Sequence, residues 1–147
     1  KNVSQNKATC GMWVVRLIMK IIYTKVFVND QDKALKFYTQ ILGFLKNSDI
    51  VAGDYRWLTV VSPEDQNGTE LILELNDNPA AKTYQKAIFE QSIPATNFGV
   101  SDVHIDYERL KNLGVKFTIE PSEVMENVTI AVLDDTCGNL IQIQTVG

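Results

Sequence analysis

The side chains of this sequence best suited to nucleophilic, acid–base or metal chemistry are few: one histidine, His104, and two cysteines, Cys10 and Cys137. A single histidine excludes His-rich metal sites and makes any Ser-His-Asp or Cys-His pair depend on His104. It stands two residues after Asp102 and near Asp106 and Glu108, a position that reads as the solvent-facing first turn of a helix. Cys137 lies in the turn DDTCGN, where Asp134 and Asp135 oppose the thiolate that a redox or nucleophilic role requires. The acidic pairs Glu64-Asp65 and Asp134-Asp135 look like metal loops, but Asp and Asn beside Gly form turns on their own chemistry. The two cysteines are far apart and suggest no disulfide framework, which favours a reducing, cytoplasmic setting.

Length and composition set the frame for these residues. A chain of 147 residues, 45% hydrophobic and 22% charged, is one domain or two small modules sharing a core. Residues 1–18 carry Lys1, Lys7 and Arg16 without an acid, so the rest of the chain has a net charge near -7. With no cluster of Lys and Arg, that acidic body argues against nucleic-acid binding. The run GMWVVRLIMKII, from Gly11 to Ile22, is interrupted by Arg16 and Lys20 and is shorter than the roughly 20 apolar residues of a membrane span. Met19 opens a clean strand pattern, so residues 1–18 are read as an N-terminal extension and 19–147 as the domain.

The elements of that domain repeat. Residues 21–29 alternate as a strand, Asp30 caps a helix whose apolar face is Ala34, Phe37, Tyr38, Ile41 and Leu42, and Gly43 ends it. Strand-like runs follow at 44–50, 55–61 and 69–75. A second β-α-β-β-β series begins at Ala95, with Asp102 as the cap and Gly114 as the stop, and closes with runs at 115–120, 128–133 and 139–145. The segment VFVNDQDKALKFYTQILGF parallels FGVSDVHIDYERLKNLGVKF, and VVSPEDQNGTELILEL parallels AVLDDTCGNLIQIQ. The chain is therefore read as α+β, two β-α-β-β-β modules at 21–76 and 95–146 related by internal duplication and joined by a helical linker at 77–94. One such module of about 55 residues cannot bury both faces of its sheet, so two copies pack together around a curved mixed sheet with a cavity.

The phrases KVFVNDQDKALKFYTQILGF, RWLTVVSPEDQNGTELILEL and LDDTCGNLIQIQ resemble the glyoxalase, bleomycin-resistance and extradiol-dioxygenase superfamily, the vicinal oxygen chelate proteins. The resemblance covers residues 21–146 and implies a fold more specifically than a function, because that superfamily places many activities on one scaffold. Its metal-dependent members take ligands from the first and last strands of each half. Counting from the shared landmarks, those positions fall here at Tyr23, Glu74, Ala95 and Gln142. Only Glu74 is a typical ligand, so the expectation is no metal site and no cofactor, with a divalent metal as the alternative.

If Tyr23 faces the cavity as its family counterpart does, alternation sends Lys25 and Phe27, Ile72 and Glu74, Asn97 and Gly99, and Leu140, Gln142 and Gln144 the same way. The implied ligand-binding set is Tyr23, Lys25, Trp57, Glu74, Asn97 and Gln142, with Trp57 either a cavity wall or part of the core. Glu74 is the candidate general base. Two arrangements remain open at this point: these groups orient a small polar or aromatic ligand, or Lys25 and Glu74 pair and plug the cavity. The resemblance implies a small-molecule binding protein like the bleomycin-resistance branch, acting as a homodimer. The alternative is a glyoxalase- or dioxygenase-like enzyme that uses Glu74 with atypical ligands, and a third reading is an accessory module with a self-filled cavity. Whether the modules complete a site within one chain or across a dimer is left open by the sequence.

Overall fold

A computed structural model describes residues 18–146. The expected extension therefore lies outside the described residues except for Ile18. The first half runs β1 (Tyr23–Val28), α1 (Gln31–Lys36), a π-helical turn (Phe37–Ile41), β2 (Leu45–Ala52), β3 (Tyr55–Val61) and β4 (Glu70–Leu75). A linker helix, α2 (Pro79–Glu90), leads to β5 (Thr96–Val100), α3 (Val103–Asn112), β6 (Phe117–Met125), β7 (Val128–Asp134) and β8 (Leu140–Thr145). Each half forms a four-stranded mixed sheet, ordered β1-β4-β3-β2 and β5-β8-β7-β6, with the outer pair β1/β4 or β5/β8 parallel. This is the duplicated α+β architecture that the repeat predicts.

Both helices start on their predicted caps. Asp30 Oδ1 accepts from Lys33 N at 3.0 Å, and Asp102 Oδ1 accepts from His104 N and Ile105 N at 2.9 and 3.2 Å. Both stop at a glycine with φ of 88°, Gly43 and Gly114, a backbone state that a Cβ disfavours. The first half holds one more residue between cap and stop than the second. The π-helical turn absorbs it: Leu42 N bonds Phe37 O at 3.0 Å, a five-residue step that widens one turn and leaves Gly43 in place.

Alternation sorts each sheet into two faces. Val26, Val28, Leu58, Val60, Leu71 and Leu73 point toward α1, while Ala131, Leu133, Ile141 and Ile143 point toward α3, and all join a single buried cluster with Tyr38 and Leu110. Phe98 of β5 packs edge-on against Phe44, with ring centroids 4.9 Å apart, and against Tyr38 at 6.4 Å. The halves thus share one core through their helix-bearing faces, and burying that common layer drives their association. It follows that the other face of each sheet points outward, away from its counterpart. Bulges at Lys46/Ser48 in β2 and at three places in β6, one of them spanning Pro121, bend these edge strands.

A buried polar junction locks the two halves. Asp135, fully buried, accepts from Tyr38 Oη (2.8 Å), Cys137 N (2.7 Å), Asn139 N (2.9 Å) and Asn139 Nδ2 (2.8 Å). Gln85 of α2 donates to Phe27 O and Asn139 Oδ1, and its amide lies where a Cβ on Gly138 would stand 2.7 Å away. Burial pushes the Asp135 carboxyl up from its usual range, against the four donors that favour its charged form.

Candidate functional site

The outward face of the first sheet carries Tyr23, Lys25, Trp57 and Glu74 together. Trp57 precedes the core residue Leu58 on β3, is itself only half-buried and pairs with the exposed Ile50 of β2, so it belongs to the open face rather than the core. Its ring meets Tyr23 edge-on at 5.1 Å and 86°. Thr59 and Ile72, cross-strand partners on the same face, are buried. Lys25 Nζ stands 3.3 Å from Glu74 Oε2, the ion pair foreseen as one of the two arrangements. Lys25 remains 52% exposed, so the pair sits at the surface of the face and a ligand can reach both groups.

The outward face of the second sheet carries Asn97 and Gln142, which are cross-strand partners. Asn97 Nδ2 donates to Gln144 Oε1 at 2.9 Å, and Gln142 Nε2 lies 3.5 Å from the same oxygen. Leu140 and Val132, on the same face beside Gln142, are buried. Within one chain, then, the six expected residues form two groups on outward faces, four on the first sheet and two on the second, and the chain does not bring the groups together.

Strand register also corrects the correspondence between halves. Lys25 and Asn97 each stand five residues before their helix cap, and they pair with Ile72 and Gln142. The position matching Gln142 is therefore Ile72, and the position matching Glu74 is Gln144. Glu74 and Gln142, expected at equivalent places on the last strands, are instead offset by two residues along the strand. The Lys25–Glu74 ion pair and the Asn97–Gln144 amide pair consequently occupy the same place in the two halves, one charged and one neutral.

Two further outward residues went unnamed in the candidate set. Glu70, beside Tyr23, accepts from Thr59 Oγ1 and Asn47 Nδ2, both at 2.6 Å, and Ser48 N donates in turn to Thr59 Oγ1. The signal was present, since Glu70, Ile72 and Glu74 share one parity. Gln144 shared the parity of Gln142 in the same way, and its hydrogen bond to Asn97 makes it part of the second face.

Of the positions where metal ligands would fall, two carry side chains without a donor atom. Ala95 has no side-chain donor and its backbone N–H is held by Leu140 O. Ile72, at the matched register position, has none either, and among the described residues no group of three or more His, Cys, Asp or Glu gathers around a common point. His104 is exposed on α3, away from either outward face. The Cys137 thiol is buried at the junction, where desolvation first and Asp135 second push it up to about 12, so it is protonated at neutral pH. None of the helices among the described residues is long and apolar enough to cross a membrane.

Comparison with known proteins agrees with this fold. Residues 20–143 match the model of the Glyoxalase/Bleomycin resistance protein/Dioxygenase superfamily. The uncharacterized protein YurT of Bacillus subtilis (strain 168) is 62% identical over 125 residues, 85% of this chain and 98% of YurT. A probable lactoylglutathione lyase of Vibrio cholerae serotype O1 is 26% identical, covering 84% of this chain and 88% of the lyase. The solved structure of TnmS3, an antibiotic binding protein from Streptomyces sp. CB03234, superimposes with a TM-score of 0.68 at 26% identity, covering 89% of this chain and 98% of that one. The repeat, the two four-stranded mixed sheets and the matched span lead to one conclusion: the chain belongs to the glyoxalase/bleomycin resistance protein/dioxygenase superfamily.

Proposed function

We propose that the protein is a metal-free small-molecule binding protein that acts as a homodimer in the cytoplasm. The observation that carries this reading is the outward and opposed placement of the two candidate faces. Neither face alone encloses a ligand, and binding sites are concave and bury most of their ligand. In a two-fold pair the first face of one copy meets the second face of the other, which closes two equal pockets. Each pocket then combines the Tyr23–Trp57 aromatics, the Lys25–Glu74 pair and Glu70 from one copy with the neutral amides Asn97, Gln142 and Gln144 from its partner. That mixture suits an aromatic ligand bearing several polar groups, in keeping with the antibiotic-binding neighbour. The missing donors at Ala95 and Ile72 support function without metal.

A second reading is an enzyme in which Glu74 acts as general base, favoured by the similarity to a probable lactoylglutathione lyase. One set of measurements separates the two. Sedimentation should give a dimer, elemental analysis of protein purified without chelator should give far less than one metal per chain, and a thermal-shift screen of polycyclic and antibiotic-like compounds should find stabilising ligands. Trp57→Ala and Glu74→Gln should abolish those shifts. Near-stoichiometric metal that disappears in Glu74→Ala overturns the binding-protein reading in favour of the enzyme.

A further inference from the structure

The internal duplication gives each junction between the halves a counterpart. At the first junction the turn 135–139, five residues long, enters the opposite half, where Asp135 meets Tyr38 and Asn139 bonds Phe27 O. Its counterpart, the turn 62–69, is three residues longer and bonds mainly to itself, through Asp65 N to Ser62 O and Gly68 N to Asp65 O. Among the described residues no hydrogen bond ties it to the second half. The residue matching Tyr38, eight positions after its own cap, is Leu110, which has no hydroxyl to offer. Nor does any described helix cross this junction as α2 crosses the other with Gln85.

The result is a cleft of about 360 Å³ at the second junction. Phe44, Phe98, Leu110 and Ile143 form an apolar floor, and Glu64, Asp106 and Arg109 stand at its wall. Arg109 is already engaged: Nε and Nη2 donate to Asp106 Oδ1 at 3.3 and 3.1 Å, and Nη1 donates to Ile41 O at 3.1 Å. Asp106 Oδ2 has no hydrogen-bond partner among the described residues, and neither does the Glu64 carboxylate. The wall therefore carries two carboxylates against one satisfied guanidinium. An anionic head would meet net repulsion there, and an ammonium would meet two acceptors.

We propose that this cleft is a second binding site, distinct from the outward faces, for a compact apolar molecule with an ammonium head, such as an arylalkylamine. Its volume is within the range of small-molecule pockets. The ring would lie against Phe44 and Phe98, with the ammonium between Glu64 and Asp106. The inference does not depend on the dimer or on a ligand at the outward faces.

The test is a titration of the full chain with 2-phenylethylammonium and, separately, 3-phenylpropionate, followed by amide ¹H–¹⁵N NMR. The amine should move the resonances of Phe98, Val100, Leu110 and Ile143 and leave Tyr23, Lys25 and Gln142 in place. The carboxylate should bind weakly or not at all. Ser62→Trp, on an exposed turn, should block the cleft without altering the fold, and Glu64→Lys should weaken the amine by roughly three- to tenfold. The proposal is overturned by shifts confined to the outward faces, by equal binding of amine and carboxylate, by full binding in Ser62→Trp, or by no shift at about 5 mM amine, a concentration that would detect even a weak millimolar site.

Discussion

The two halves are built on the same plan, and they differ at equivalent places. The first outward face presents Lys25 and Glu74 where the second presents Asn97 and Gln144. The short turn of the second half is sealed into the first by Asp135, whereas the longer turn of the first half, with Asp65 at its own bend, leaves a cleft. Positions set by the backbone repeat, and the chemistry at those positions has diverged. A duplicated scaffold can therefore keep its core layer unchanged while one copy specialises in holding the halves together and the other in leaving room.

The largest expected contrast comes from removing each of the two turn aspartates. Asp135→Ala leaves Tyr38 Oη, Cys137 N and Asn139 N without an acceptor and takes one of two from Asn139 Nδ2, and should cost about 3–5 kcal/mol. Asp65→Ala, on the exposed turn, should stay within about 0.5 kcal/mol. Urea unfolding of both variants measures the difference, and equal losses would break the comparison. Tyr38→Phe removes one bond to a buried carboxylate and should cost about 1.5–3 kcal/mol by the same assay. A phenylalanine there makes the sealed junction resemble the one at Leu110.

A smaller effect is expected from pH. Because burial raises the Asp135 carboxyl in the folded state, the folded protein binds more protons than the unfolded chain over that interval, so its stability falls as pH rises. The window opens near the ordinary aspartate value of about 4 and closes once the raised value is passed. Unfolding curves across that window should slope downward for the native chain and more weakly for Asp135→Asn. The smallest effect on stability belongs to the outward pair. Converting Lys25 and Glu74 together to glutamine, which copies the neutral character of the second face, should change stability by less than about 1 kcal/mol. Any ligand found in the thermal-shift screen should nevertheless lose affinity for that variant, which separates a binding role for the pair from a structural one.

Much of this fold was legible because its signals are local. Asp30 and Asp102 before apolar helical runs, Gly43 and Gly114 after them, and strand alternation each rest on a few neighbouring residues. Alternation likewise sorted Tyr23, Lys25, Glu74, Asn97 and Gln142 away from the core. It could not say which outward residues stand opposite one another, because that depends on strand register. A two-residue slip keeps every side chain on its face, which is how Glu74 came to be matched with Gln142. Nor could it foresee that Tyr38 and Asp135, 97 residues apart, form the central bond of the junction. The packing of the halves through their helix-bearing faces rests on a shared core, which no single segment encodes.

The opposed outward faces have a genetic consequence. In the two-fold pair proposed above, each pocket draws its halves from different copies, so damage on the two faces can be separated between chains. Take one allele carrying Glu74→Gln and another carrying Gln142→Ala, each inactive for binding as a homodimer. When the chains mix, a mixed pair holds one pocket with both lesions and one with neither. Random mixing would restore about a quarter of all pockets. Two broken copies of the same gene would then complement each other, whereas two lesions on the same face would not.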